Sequence, residues 1–223
     1  MKLAVLSDFD GTVTLNDTFE NVLARFGKGD WSAIDDQYVR GEITLEECVR
    51  RQGAMVQVSR SQILSYLDGV TEFRPNFDKL IEFCKTNRFP LVIVSAGLDF
   101  VIKHFLTREK IQDNVELFAA SANCTPTGIK FNWPKPKSSR SINFKDDMVR
   151  YYKQKADTVA YIGDGRWDLH ALRNADRRFV IRNSKLAELC REQEIQATRI
   201  IDFQEVVKSL QKEMSERDLK QRE

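Results

Sequence analysis

The residues best equipped for chemistry form a short run near the start of the chain, DFDGTVT, from Asp8 to Thr14. Two carboxylates two positions apart leave the end of an apolar stretch, LAVLS. Asp8 can attack phosphorus as a nucleophile. Asp10 can give a proton to the leaving oxygen and later take one from water. Gly11 lets the backbone turn sharply beside a ligand. Thr12 and Thr14 add hydroxyls, and Thr12 is the candidate to touch a phosphate. Two acids this close repel each other and a phosphate, so the pair calls for a divalent cation. At average residue usage the five fixed positions of this run arise by chance in about one chain in ten thousand.

Three further groups belong to the same chemistry. GDGRWD, Gly163 to Asp168, follows the apolar run TVAYI and sets Asp164 and Asp168 four apart across a strand-to-helix turn. Such carboxylates can hold Mg2+ with its waters. Ser95 closes LVIVS and precedes Ala96 and Gly97. A hydroxyl and backbone N–H groups at a helix start suit a phosphate. Lys145 opens the helical stretch ahead of TVAYI, where its charge would balance phosphate and keep the nucleophile deprotonated. His104 and His170 stand apart from other ligand types and are not metal candidates.

These groups need elements to carry them. Residues 3–7, 91–95 and 158–162 are continuous apolar runs, expected as buried strands. Residues 179–181 suggest one more. Between them, residues 76–87, 98–106 and 145–155 carry helical periodicity. This alternation implies a doubly wound, Rossmann-like parallel sheet with helices on both faces. Residues 115–120 and 129–133 are expected as two further strands joined by a turn at 125–128. Residues 17–74 read as helices only. Gly27 stops the first, Thr44 with Glu47 suggests a capping box for a third, and Ser59 with Gln62 opens a fourth. The layout is an α/β core of residues 1–15 and 75–223, interrupted by an all-helical segment, 16–74. That insertion follows the first strand and so falls over the carboxyl edge of the sheet, as a candidate lid. Residues 211–223 hold four charges of each sign and read as a solvated helix end.

Composition narrows the function. The chain has 223 residues with a formal net charge of +2, which gives no general reason to expect nucleic acid or an anionic membrane. Residues 130–155 carry eight basic and two acidic residues. This run suits the approach of an anionic substrate as well as a solvated surface, and its aromatics leave nucleic-acid binding as a weaker alternative. Cys48, Cys84, Cys124 and Cys190 lack zinc spacing, and no apolar stretch is long enough for a signal peptide or a membrane span. The expectation is a cytoplasmic protein acting on a small phosphorylated metabolite. The sequence is silent on oligomeric state.

With DFDGT, Ser95, Lys145 and GDGRWD in this order, the chain resembles the haloacid dehalogenase superfamily of phosphatases. The resemblance implies a phosphorylated Asp8 and an acid/base Asp10, with Ser95 and Lys145 gripping the phosphoryl group. It also implies Mg2+ held by Asp8, the backbone carbonyl of Asp10 and Asp164, with Asp168 a direct or more distant ligand. The helical insertion is similar to that family's small cap. Phosphoserine phosphatases share the cap and the GDGxxD form; Asp17 stands where that branch has a Glu, and Arg51 or Gln52 falls near its cap arginine. VSAGLDFVI, IKFNWP and ELCREQ…DFQEV are similar to the methionine-salvage phosphatases of 2-hydroxy-3-keto-5-methylthiopentenyl-1-phosphate. The alternative of another class is an inactive module that only binds a phosphate ligand.

Overall fold

The computed structural model describes residues 2–220, so the last three residues of the charged end, 221–223, lie outside the described residues. The chain begins with β1 (Leu3–Ser7) and then runs through α1 (Thr18–Phe26), α2 (Ser32–Val39), α3 (Leu45–Ala54) and α4 (Arg60–Asp68). It continues with α5 (Phe77–Asn87), β2 (Leu91–Ser95), α6 (Asp99–Arg108), β3 (Glu116–Ala119), β4 (Ser121–Thr125) and β5 (Gly128–Asn132). After α7 (Phe144–Lys153) come β6 (Thr158–Gly163), α8 (Leu169–Asn174), β7 (Arg177–Ile181), α9 (Lys185–Glu192), β8 (Thr198–Ile200) and α10 (Phe203–Lys220).

Six strands form one parallel sheet in the order β3-β2-β1-β6-β7-β8. The central strands are apolar throughout because both their faces are covered. Alternation divides their side chains between two cores. Leu3, Val5, Leu91, Ile93, Ala160 and Ile162 join one core, with Leu80 of α5, Phe105 of α6 and Val206 of α10. Ala4, Leu6, Val92, Val94, Val159 and Tyr161 join the other, with Met148 of α7, Leu172 of α8 and Leu186 of α9. From β1 the chain proceeds outward through β2 and β3, and from β6 outward through β7 and β8. The order therefore reverses between β1 and β6, the place where open α/β sheets bind ligands. Ser7 sits level with Ile162 and with Ile93, which brings the carboxyl ends of β1, β6 and β2 side by side.

The hairpin differs from expectation. Residues 116–119 join the main sheet beside β2, and the partner of β5 is β4, with Thr125 paired to Gly128. SANCT lacks the large alternating apolar residues that mark a strand, so nothing local in it announces β4. β5 packs on α3, and Phe131 meets Phe19 of α1 edge-on at 5.9 Å.

Residues 18–68 hold four helices and, among the described residues, no strand beyond isolated bridges. Asp17, Thr44 and Ser59 cap α1, α3 and α4, and the Ser59–Gln62 box is reciprocal. Each such cap is worth about 0.5–2 kcal/mol. The chain enters and leaves this segment side by side. Thr14 pairs with Phe73, the Leu15 N–H donates to Glu72 at 2.9 Å, and the Arg74 N–H donates to Val13 at 2.7 Å. Tyr38 of α2 stacks on Trp167, beyond β6, at 4.8 Å and 28°. No helix among the described residues is long and apolar enough to cross a membrane.

Candidate active site

The end of β1 delivers Asp8 directly to the reversal point, where its N–H donates to Ile162 of β6 at 2.9 Å. Asp8 is 5% exposed. Its Oδ1 accepts from the Phe9 N–H at 2.8 Å and lies 2.8 Å from Lys145 Nζ. Its Oδ2 receives no hydrogen bond among the described residues and so keeps its lone pairs free.

Lys145 is the second residue of α7, a helix capped by Asn143, which accepts from the Asp146 N–H at 2.9 Å. The buried ammonium spans Asp8 and Asp168, 2.6 Å from Asp168 Oδ1. Burial works to lower the lysine pKa, but Asp168 and Asp8 outweigh it and hold the group above its ordinary value. Burial pushes the Asp8 carboxyl well up, the charge of Asp168 adds to this, and Lys145 opposes it.

Asp10 sits among hydroxyls. Thr18 gives its Oδ1 a backbone N–H at 3.0 Å and a short O–H bond, and Ser95 Oγ donates to Oδ2 at 3.2 Å. Burial raises its pKa and the Thr18 donors pull it back, which suits a carboxyl that alternately gives and takes a proton. Gly97 donates to Ser95 Oγ at 2.9 Å, and a Cβ at Gly97 would run into the Asp10 carboxylate.

Asp164 follows β6. Burial first, then the charge of Asp168, pushes its carboxyl up to about 7. Thr12 Oγ1 donates to its Oδ1 at 2.7 Å. Thr12, the candidate for touching phosphate, is fully buried with its hydroxyl turned to Asp164. A Cβ at Gly11, whose φ is +72°, would collide with the Asp164 carboxylate. Arg74 secures this turn from behind, with Nε to the Thr12 carbonyl at 2.8 Å and Nη2 to the Gly11 carbonyl at 2.7 Å.

Asp168 takes four donors: Lys145, the Tyr161 hydroxyl at 2.7 Å, and the Asp164 and Gly165 N–H groups at 3.1 and 2.9 Å. Asp8, Asp164 and Asp168 offer carboxylate oxygens that all lie within 4.8 Å of one another. A crowded, all-oxygen donor set with one compensating lysine suits a hard divalent cation. Asp8 Oδ2 and Asp164 Oδ2 are the uncommitted oxygens of the cluster, whereas both oxygens of Asp168 are already engaged.

These groups open on a cavity of about 300 Å³. Ala96 lines it beside Ser95, and Phe19, Leu23, Trp31 and Val49 give it apolar wall. Asp17 and Gln52 also line it; Arg51 does not, and donates instead to Gln37 at 2.6 Å. Of the basic run at 130–155, Lys145 alone lines the cavity. Arg150 pairs with Asp146, Lys153 with Asp176, and Lys137 and Lys155 lie over the Tyr151 ring. His104 meets Asp68 at 2.7 Å. Thr18, Arg74, Tyr161 and Arg166 escaped the sequence reading; only Arg166, inside GDGRWD, stood next to a motif residue.

Residues 5–173 match the family of haloacid dehalogenase-like hydrolases. The chain is 27% identical to the bifunctional enzyme MtnB/MtnX of Bacillus licheniformis, over 94% of its own length but only 49% of that protein's, so it spans about half of this relative. It is 26% identical to the 2-hydroxy-3-keto-5-methylthiopentenyl-1-phosphate phosphatase of Brevibacillus brevis, over 96% of this chain and 98% of that one. A phosphoserine phosphatase solved as its phospho-aspartyl intermediate analogue shares the fold with a TM-score of 0.69, at 16% identity over 93% of this chain and 98% of that one. Its sheet, the acids at the strand ends and the match over residues 5–173 place the chain in the haloacid dehalogenase-like hydrolase family.

Proposed function

We propose that the chain is a Mg2+-dependent phosphatase that works through an aspartyl phosphate on Asp8, with 2-hydroxy-3-keto-5-methylthiopentenyl-1-phosphate as its substrate. The observation that carries the chemistry is the clamp on Asp8: Lys145 and the Phe9 N–H hold Oδ1 and leave Oδ2 free. Oδ2 attacks phosphorus in line, the bond from phosphorus to the leaving oxygen breaks, and Asp10 passes its proton to that oxygen. Water then attacks the same phosphorus, Asp10 takes the water proton, and the Asp8–phosphorus bond breaks to release inorganic phosphate. Ser95 and Lys145 hold phosphoryl oxygens. Asp8, Asp164 and the Asp10 carbonyl would hold Mg2+, which when bound neutralises charge on the phosphoryl group. Asp168 acts by fixing Lys145 and the Asp164 turn.

The substrate rests on relatives such as the Brevibacillus brevis enzyme, and on apolar wall suited to a methylthio tail. A role in methionine salvage places the work in the cytoplasm. Residues 16–74 serve as a cap that shields the phosphoryl group from bulk water, over a core of 1–15 and 75–223. The test is a panel of phosphomonoesters with Mg2+, including the methylthio ester, phosphoserine and an aryl phosphate, run beside Asp8→Asn. Hydrolysis led by the methylthio ester and lost in the variant supports the reading. Activity on no ester, or activity retained in Asp8→Asn, overturns it.

A further inference from the structure

Three cations line the cavity: Lys145, Arg166 and Lys185. Two are already committed. Lys145 lies between Asp8 and Asp168, and Lys185 pairs with Glu188 at 2.8 Å. Arg166 is partly buried, and among the described residues its guanidinium makes no hydrogen bond and no ion pair. It acts on Asp35, another residue of the cavity wall, only through its field: burial raises the Asp35 carboxyl and Arg166 draws it back.

The backbone of Arg166 is fixed on both sides. It opens a single turn, Arg166–Asp168, in which the Asp168 N–H donates to Gly165 at 3.1 Å. The neighbouring Trp167 accepts from Asn143 Nδ2 at 3.2 Å through its carbonyl and stacks on Tyr38 through its ring. Gln52, 4% exposed, also lines the cavity; its Nε2 donates to the Trp31 carbonyl at 3.3 Å, and among the described residues its amide oxygen accepts no hydrogen bond.

A guanidinium partly withdrawn from water, with its planar fork of donors unspent, is suited to a pair of coplanar oxygens. The phosphoryl group does not need it, because Lys145 and Ser95 stand beside Asp8 and Asp10. We propose that Arg166 is the specificity residue of this site and reads two neighbouring oxygens, keto–enol or carboxylate, on the carbons of the leaving group. This rests on the phosphatase reading and narrows its substrate class to phosphomonoesters with a paired-oxygen head and an apolar tail. The tail runs along Phe19, Leu23, Trp31 and Val49.

The test is Arg166→Gln assayed on three esters: the methylthio keto–enol phosphate, phosphoglycolate as the carboxylate arm, and p-nitrophenyl phosphate, which lacks the oxygen pair. A lost charged hydrogen-bond pair corresponds to a rise in KM of about 10- to 100-fold on the paired-oxygen ester the site prefers. kcat/KM on p-nitrophenyl phosphate stays within about threefold. Arg166→Lys restores only part of the loss, because it returns a point charge without the fork. An equal loss on p-nitrophenyl phosphate assigns Arg166 to phosphoryl binding, and no loss on any ester leaves it a wall residue balancing Asp35; either result overturns the proposal. Titration of phosphoglycolate and the keto–enol phosphate into Asp8→Asn, with and without Arg166→Gln, reads the fork without turnover. If the chain hydrolyses no ester yet Arg166→Gln weakens this binding, the phosphatase reading fails and the assignment of Arg166 stands.

Discussion

Replacing Lys145 with methionine keeps most of the side-chain bulk and removes the ammonium that joins two buried acids. The Lys145 side chain is 4% exposed, and those of Asp8 and Asp168 are 7% and 0% exposed. Removing one partner of a buried ion pair costs about 3–5 kcal/mol. Asp168 would keep the Tyr161 hydroxyl and two N–H donors, whereas Asp8 would keep only the Phe9 N–H. Asp8 is therefore the group that takes up a proton. Burial and the charge of Asp168 already raise its carboxyl with the lysine in place, and losing the lysine raises it further. An acid whose pKa is higher folded than unfolded binds more protons in the folded state, so stability falls as pH rises from the unfolded value, about 3.9, toward the folded one. The slope is about 1.4 kcal/mol per pH unit. The deficit of Lys145→Met against the parent chain should thus be larger at about pH 8 than at about pH 5.5. For a chain of this size 3–5 kcal/mol corresponds to a loss of about 6–20 °C in Tm. Thermal unfolding followed by circular dichroism, with a chelator present so that no cation replaces the ammonium, measures it. A deficit independent of pH, or below about 2 °C, would refute the argument that Lys145 offsets two buried carboxylates.

Other perturbations bear on the same network. Tyr161→Phe removes a hydrogen bond to a buried carboxylate and leaves almost no cavity, so unfolding should show a loss of about 1.5–3 kcal/mol. Thr18→Val removes the hydroxyl that favours ionised Asp10. The Asp10 pKa rises, and the limb of the pH–rate profile that Asp10 controls should move to higher pH. Asp164, raised to about 7, must shed its proton before it can hold a cation. Mg2+ affinity measured by calorimetry should accordingly fall as pH drops through that value and level off above it.

Much of the site was legible because its acids sit where apolar strands stop. Asp8, Ser95 and Asp164 each follow or end such a run, and parallel pairing brings those ends together whatever the intervening chain does. Lys145 was legible from its place at a helix start ahead of β6. What escaped depends on contacts across long stretches of chain. Arg74 holds the Gly11 and Thr12 carbonyls from 62 residues away or more, and no local pattern distinguishes it from a surface arginine. Tyr161 reads as one more apolar strand residue until its hydroxyl is seen on Asp168. Thr12 suits phosphate by type and position, and only the fold shows its hydroxyl turned to Asp164. β4 was missed because a short polar strand paired in a separate hairpin needs no apolar alternation, and β8 has only three residues.

The central claim is that Asp8 becomes phosphorylated during turnover. The direct measurement is acid quenching during hydrolysis of a substrate labelled in its phosphoryl group, followed by borohydride reduction and peptide mapping. Label bound to the protein, with homoserine appearing at position 8 and both lost in Asp8→Asn, is the expected result. Turnover with no protein-bound label, or label that persists in Asp8→Asn, would contradict it.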